Sequence, residues 1–278
     1  LLSFKIVSVE PRALPASILF DNETMLERNN TILPDETRLP DETSANARKL
    51  AWRDGLPYCT EFQDVYFSTD NGLLETEYVF LQGNDLSARW QHPDLSNFTI
   101  IETGFGTGLN FLCAAKLWLE HAPKDAALHF VSVEKYPLTL NDTTAALALW
   151  PQLNALSTPL LHQYHALINE QTISLYDDRV QLSVHIGDAT EQLARITNMA
   201  DAWFLDGFSP AKNPEMWHAG LFCEMAKHAQ ASTTFATFTS AGDVRRGLIT
   251  VGFKVSKRPG FGKKREMLCG EFIGFDNG

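Results

Sequence analysis

The stretch Ile100-Ile101-Glu102-Thr103-Gly104-Phe105-Gly106-Thr107-Gly108-Leu109-Asn110 constrains this chain more than any other. An apolar, strand-like run meets three alternating glycines, and a helix-forming sequence follows. Glycine tolerates backbone conformations closed to other residues, so such a run turns sharply and lets a ligand approach main-chain N–H groups at a helix start. A pocket for a nucleotide-like cofactor is expected; a turn serving only packing is the alternative. The spacing is G-x-G-x-G. A dinucleotide fingerprint would place its third glycine at position 109, which holds Leu109.

Around this turn, strand patterns alternate with helical ones, the signature of a mostly parallel sheet covered on both faces. Strands are expected at Phe98–Glu102, His129–Glu134, Val180–Ile186, Ala202–Asp206 and Thr234–Thr239, with helices at Leu109–Glu120, Thr143–Leu149, Pro159–Ile168, Met216–His228 and Gly242–Val251. Two last strands, Phe253–Lys257 and Arg265–Ile273, are joined by too few residues for a parallel crossover, so they should form an antiparallel hairpin. Upstream, Asp64-Val-Tyr-Phe-Ser and Thr76-Glu-Tyr-Val-Phe-Leu flank the turn signal Asp70-Asn71-Gly72 and read as an N-terminal β-hairpin. The polar, acidic stretch from Asp21 to Asn46, with its short duplication of Leu-Pro-Asp-Glu-Thr at 33 and 39, reads as a mobile surface segment. The expected organisation is a segment at 1–50, a hairpin extension at 51–95 and the α/β domain at 96–278.

The net charge of −11 excludes a protein coated in positive charge but not a local basic face. Cys59, Cys113, Cys223 and Cys269 lie far apart with no C-x-x-C pair, and they read as buried reduced thiols. No H-E-x-x-H or Cys/His cluster is present, so no metal site is expected. No apolar run approaches the roughly 18–20 residues that span a bilayer. Residues 1–20 make a poor signal sequence, so a cytoplasmic protein with no membrane partner is expected.

In such a sheet, ligands bind at the carboxyl ends of the strands, where this chain places acids. Glu134 can accept hydrogen bonds from both hydroxyls of a ribose, or be a surface charge. Asp188 stands at the third strand's end, where it can meet a ligand or cap the helix after it. Glu102 could hold a cofactor amino group directly or through water. Asp206 opens the loop Asp206-Gly-Phe-Ser-Pro-Ala-Lys-Asn-Pro-Glu-Met-Trp217; its role is general-base chemistry or a helix cap. Phe208, Pro210, Lys212 and Asn213 would then shape a substrate mouth, or simply build the loop. Arg245, Arg246, Lys254, Lys257, Arg258, Lys263, Lys264 and Arg265 fall in a span free of acids, with Phe253 and Phe261 interleaved. Phosphate contacts and base stacking explain such a strip; a solvated charged face is the other reading.

The glycine motif with Glu102 resembles the first motif of class I S-adenosylmethionine (SAM) methyltransferases, whose sheet also ends in a β-hairpin. That resemblance implies a Rossmann-like fold. Taken together, the runs beginning at Asp64, Glu102, Asp201, Phe238 and Gly260 resemble the methyltransferase half of the MnmC family of bifunctional tRNA-modifying proteins, over roughly Leu50 to Phe272. The resemblance implies SAM-dependent conversion of 5-aminomethyl-(2-thio)uridine at the tRNA wobble position to its 5-methylaminomethyl form. It carries cofactor binding to Gly104, Gly106, Gly108, Glu134 and Asp188, the catalytic contact with the substrate amine to Asp206, and part of a cofactor lid to Tyr66. It further implies tRNA as partner, and Arg245, Arg246, Lys263, Lys264 and Arg265 of the basic strip are the contacts expected for it. The family's other half is an FAD-dependent oxidase needing its own fingerprint, so no FAD is expected in this chain. An aminopropyltransferase on the same fold would not need the basic strip, another amine could be the acceptor, and a non-catalytic tRNA-binding module would lack affinity for SAM.

Overall fold

The computed structural model describes residues 50–68 and 71–274. The acidic segment at 21–46, with the rest of residues 1–49, lies outside the described residues, as does Asp70.

A small antiparallel sheet comes first: β1 (Ala51–Arg53), β2 (Leu56–Cys59) and β3 (Asp64–Val65). Next are α1 (Gly72–Thr76), which runs on into a π-helical turn at Glu77–Leu81, and α2 (Leu86–Trp90). The main body follows as β4 (Asn97–Thr103), α3 (Leu109–His121), β5 (Ala127–Glu134), α4 (Leu140–Leu147), α5 (Asn154–His162), α6 (Tyr164–Glu170) and β6 (Thr172–Leu175). It continues as β7 (Val180–Ile186), α7 (Ala189–Leu193), β8 (Ala200–Leu205), α8 (Ala219–Lys227), β9 (Ala229–Thr237), α9 (Gly242–Thr250), β10 (Phe253–Pro259) and β11 (Glu266–Phe272).

The large sheet has the order β10-β11-β9-β8-β4-β5-β7-β6. Its five central strands are parallel, the β10–β11 hairpin is antiparallel as expected, and β6 adds an antiparallel edge beside β7. From β4 the chain moves to β5 and β7 on one side, then returns to β8 and β9 on the other. The order therefore reverses between β4 and β8, and a crevice opens at their carboxyl ends.

Period-two alternation along the strands sorts side chains into two cores. Ile100, Phe130 and Phe204 face the layer holding α3, whereas Ile101, Val131, Val133, Trp203 and Leu205 face the layer holding α8 and α9. Phe204 joins the rings of Phe80 and Phe130, at 5.1 and 5.8 Å between centroids. Burying such rings removes about 1.5–3 kcal/mol of unfavourable hydration each.

Four expectations are corrected. The N-terminal extension does contain an antiparallel hairpin, but β1 and β2 form it; Thr76–Leu81 is helical. Asn71 does not turn a hairpin there. It caps α1, its Oδ1 accepting from Leu74 N at 3.1 Å, and the β-prone Tyr78-Val79-Phe80 run is carried as helix because Val79, Phe80 and Leu81 bury together. The helix expected at Pro159–Ile168 is two helices that meet at Gln163, and β6 follows them where no strand was expected. Of the four thiols, Cys59 and Cys113 are buried, Cys269 is half-buried and Cys223 is exposed on the outer face of α8. Phe253 is no base-stacking residue: it is 2% exposed and packs edge-on against Phe235 and Phe272. Among the described residues no helix is long and apolar enough to cross a membrane.

Candidate active site

A cavity of about 580 Å³ occupies the crevice between the ends of β4 and β8, within the range of small-ligand sites. Its floor is the glycine turn. Gly104, Gly106 and Gly108 have φ of 84°, 53° and 79°, all in the left-handed region that admits glycine without strain. A Cβ on Gly104 would lie 3.4 Å from Gly207 Cα, so the loops after β4 and β8 touch, and the turn brings Asp206 into the same cleft. A Cβ on Gly106 would meet the Tyr66 ring at 3.4 Å. Tyr66, just past β3, thus covers the turn, and its ring stands edge-on to Phe208 at 5.3 Å.

Glu134, the last residue of β5, accepts from Gly106 N at 3.0 Å and Tyr136 N at 2.9 Å. Main-chain donors thereby fix this carboxylate on the cavity wall. Asp188 serves two purposes: it caps α7 by accepting from Thr190 N at 3.1 Å, and it lines the cavity. Lys135 lies 3.6 Å from Asp188 and 3.7 Å from Glu215, bridging the rim.

Glu102 is placed differently from its expectation. It is fully buried and absent from the cavity wall, accepting from Ser132 Oγ at 2.7 Å and Asn110 Nδ2 at 2.9 Å. Burial pushes its carboxyl well above the usual range, and those hydrogen bonds offset the push only in part. Gly108 likewise stands behind the wall, starting α3.

Asp206 lies on the wall immediately after β8. Its Oδ1 accepts from Gly207 N at 2.8 Å and its Oδ2 from Asn110 Nδ2 at 2.7 Å. Thr103 Oγ1 donates to Asp206 O at 2.7 Å, which locks the backbone. Burial raises the Asp206 carboxyl to about 6, against the hydrogen bonds from Gly207 and Asn110. The sequence reading missed Asn110. Its amide donates to two acids and accepts from Thr76 Oγ1 at 2.8 Å, so every polar atom of this buried side chain is used. The available signal was a lone amide at the head of an otherwise apolar helix, Phe111 to Ala115.

Of the substrate-mouth residues, Phe208, Lys212 and Asn213 line the cavity, whereas Pro210 stays off its wall. Phe208 packs on Phe62 at 4.9 Å, Asn213 is buried, and Lys212 Nζ bonds Asp64 Oδ1 at 3.0 Å and Gln63 O at 2.6 Å, tying this loop to the N-terminal extension. The basic strip divides. Lys263 and Lys264 line the cavity and Arg265 is exposed beside them, while Arg245 and Arg246 sit on α9 away from the wall. The strip is also less bare of acid than its sequence: Lys254 pairs with Glu271 at 3.3 Å and Lys257 with Glu266 at 2.7 Å across the final hairpin.

The site has room for a small cofactor: a turn whose positive φ values favour glycine, a carboxylate fixed by main-chain donors one strand over, and a cavity of about 580 Å³ between them. Comparisons agree. A family described as S-adenosyl-L-methionine-dependent methyltransferases matches residues 151–272. Fold and site define a class I SAM-dependent methyltransferase.

Within that class the chain is similar to part of the MnmC proteins. It is 54% identical over 224 residues to the "tRNA 5-methylaminomethyl-2-thiouridine biosynthesis bifunctional protein MnmC" of Methylobacillus flagellatus, covering 80% of this chain and 35% of that protein. The protein of the same name from Pseudomonas fluorescens is 54% identical over 230 residues, covering 82% and 35%. The chain thus spans about a third of the length of these relatives. The crystal structure of MNMC2 from Aquifex aeolicus shares the fold, with TM-score 0.63 and 23% identity over 85% of this chain and 73% of that one.

Proposed function

We propose that this chain methylates the primary amine of 5-aminomethyl-(2-thio)uridine at the wobble position of tRNA, with SAM as donor. The observation that carries the reading is Asp206: a carboxylate with both oxygens held, on the wall of the cavity whose floor is the glycine turn. Gly104, Gly106, Glu134 and Asp188 would hold the donor, with Tyr66 closing over it.

When bound, SAM supplies an electrophilic methyl on a sulfonium. The acceptor must present a free lone pair, so its amine must be neutral when it attacks. Transfer of that methyl would leave the electron pair of its C–S bond on sulfur and would cost the acceptor amine one proton. Asp206 Oδ2 is the acceptor for that proton, and a carboxyl near 6 is a better base than an ordinary aspartate. Asn110 and Gly207 N aim it; Phe208 and Tyr66 keep water out.

In this reading residues 96–278 are the methyltransferase domain and 51–95 the extension carrying its lid. Lys263, Lys264 and Arg265, with Arg245 and Arg246 further off, meet tRNA phosphates. An FAD-dependent oxidase domain in the remaining length of such proteins belongs to the same proposal. Mass spectrometry of tRNA nucleosides before and after incubation with protein and SAM tests it. Appearance of the methylaminomethyl nucleoside is the expected result; unchanged aminomethyl nucleoside with folded protein overturns it.

A further inference from the structure

One ammonium group already sits in the cavity. Lys264, at the tip of the β10–β11 hairpin, places Nζ 2.7 Å from Glu75 Oε1 and 4.3 Å from the centre of the Phe238 ring. Its charge also acts on Asp206, as does that of Glu75. All four residues line the same cavity. The Glu75 side chain is only 13% exposed, so this carboxylate is committed to the interior, while Lys264 reaches it from a side chain 43% exposed.

This is the environment an alkylammonium prefers: carboxylates on one side and an aromatic face on another. The group found there, a primary ammonium on a methylene, is the chemical equivalent of a protonated aminomethyl substituent. Resting on the proposed function, we infer that Glu75, the Phe238 ring and Asp206 form the acceptor-amine subsite, that Lys264 fills it in the free protein, and that docking of a polyanionic RNA draws Lys264 away to admit the substrate amine.

The surroundings allow Lys264 to move while its loop stays. The hairpin is pinned at its base, where Tyr78 Oη donates to Pro259 O at 2.9 Å and Arg258 Nη1 donates to Gln82 O at 3.0 Å. Its tip is closed by Gly260 N to Arg265 O at 3.1 Å and Lys264 N to Phe261 O at 3.0 Å. Only the lysine side chain has to swing, and Lys263 and Arg265 beside it are exposed where a phosphate backbone would approach. An ion pair near the surface breaks readily when a multivalent anion competes for its cation. The device gives specificity by exclusion: an amine not carried on RNA has no means of displacing the resident ammonium.

The experiment compares Lys264→Met with wild type on two acceptors, aminomethyl-bearing tRNA and the free nucleoside 5-aminomethyluridine, at a pH near 8 where Asp206 is ionised in both. Wild type should strongly favour tRNA. In the variant, kcat/KM for the nucleoside itself should rise about tenfold over wild type, as loss of a competing ion pair allows, whereas loss of a phosphate contact would lower only the value for tRNA. Glu75→Gln provides the second arm: KM for either acceptor should rise while SAM affinity, measured by calorimetry, is unchanged. Wild-type turnover of tRNA with an unaltered kcat/KM for the nucleoside in Lys264→Met, or an unaltered KM in Glu75→Gln, overturns the subsite while leaving the proposed function standing. Failure of wild type on tRNA would instead remove the function itself.

Discussion

Asn110 Nδ2 donates to Asp206 Oδ2 at 2.7 Å and, through the same amide, to Glu102 Oε1 at 2.9 Å. One buried side chain thus ties the acid on the cavity wall to the acid beneath the sheet's end. Replacing it with alanine leaves both carboxyl groups short of a donor. Asn110→Ala should cost about 2–3 kcal/mol in urea unfolding, the range for lost hydrogen bonds to charged groups. It should also move the acidic limb of the activity profile upward, since that hydrogen bond holds the Asp206 carboxyl down. A variant with wild-type stability and an unshifted profile would show the link to be incidental.

The profile itself is the second prediction. Asp206 must be ionised to accept a proton, and its carboxyl lies at about 6. Because only the neutral amine reacts, kcat/KM falls on acidification in any case, and ionisation of Asp206 should steepen that fall below about pH 6, whereas an ordinary aspartate would steepen it only below about pH 4. Asp206→Ala should lower turnover by about 10²–10⁴-fold, the range for a general base, and leave SAM binding intact. Retained turnover would take Asp206 out of the chemistry.

What the sequence disclosed follows from which forces act locally. The parallel strands and the glycine turn are written as apolar runs and as residues tolerant of positive φ, and Val180–Ile186 falls where its pattern ends. Asp206, Glu134 and Asp188 follow because sheet topology forces strand ends into one crevice. The segment at 76–81 misleads because tertiary burial overrides β propensity. That matters for function, since adjacent residues of a strand point to opposite faces, whereas α1 turns both Glu75 and Thr76 toward the site. The bonds of Asn110 to Thr76 and Asp206, and the Glu75–Lys264 pair, were hidden for another reason: they join residues 34 to 189 positions apart, and no local pattern encodes such a meeting.

Phe253 illustrates the same limit and gives a third prediction. Its neighbours in sequence are basic, but its neighbours in space are Phe235 and Phe272. Phe253→Ala should destabilise the fold by about 3–5 kcal/mol, as for other buried aromatics. Any remaining folded protein should bind RNA with unchanged salt dependence, because no phosphate contact is removed. Reduced RNA affinity with unchanged stability would restore the stacking role.

At Gly106 the prediction is about space and conformation together. A φ of 53° already disfavours any β-branched residue, and a Cβ there would already be in contact with the Tyr66 ring at 3.4 Å, so the methyls of a valine must find room against it. Gly106→Val also weakens the N–H that holds Glu134. SAM affinity measured by calorimetry should drop by roughly tenfold or more, since 1–3 kcal/mol of backbone strain falls on the binding turn. Unchanged affinity would place the donor elsewhere.

The last prediction concerns the cost of holding Asp206 ready. A carboxyl raised from 3.8 to about 6 in the folded protein binds its proton more tightly there than in the unfolded chain. Its stabilising contribution is present at low pH and is lost as pH rises through about 6, because the folded state then carries a charge that burial disfavours. Asparagine has nothing to titrate. The stability of Asp206→Asn minus that of wild type should consequently grow between about pH 4 and about pH 7, by some 1–3 kcal/mol after allowance for partial exposure. Carboxyl groups elsewhere cancel in the difference, and any mismatch of the new amide against Asn110 shifts the curve without changing its slope. Urea titrations of both proteins across this pH range measure the slope directly. A flat difference would mean that Asp206 ionises as freely folded as unfolded, and that the cavity does nothing to make it a stronger base.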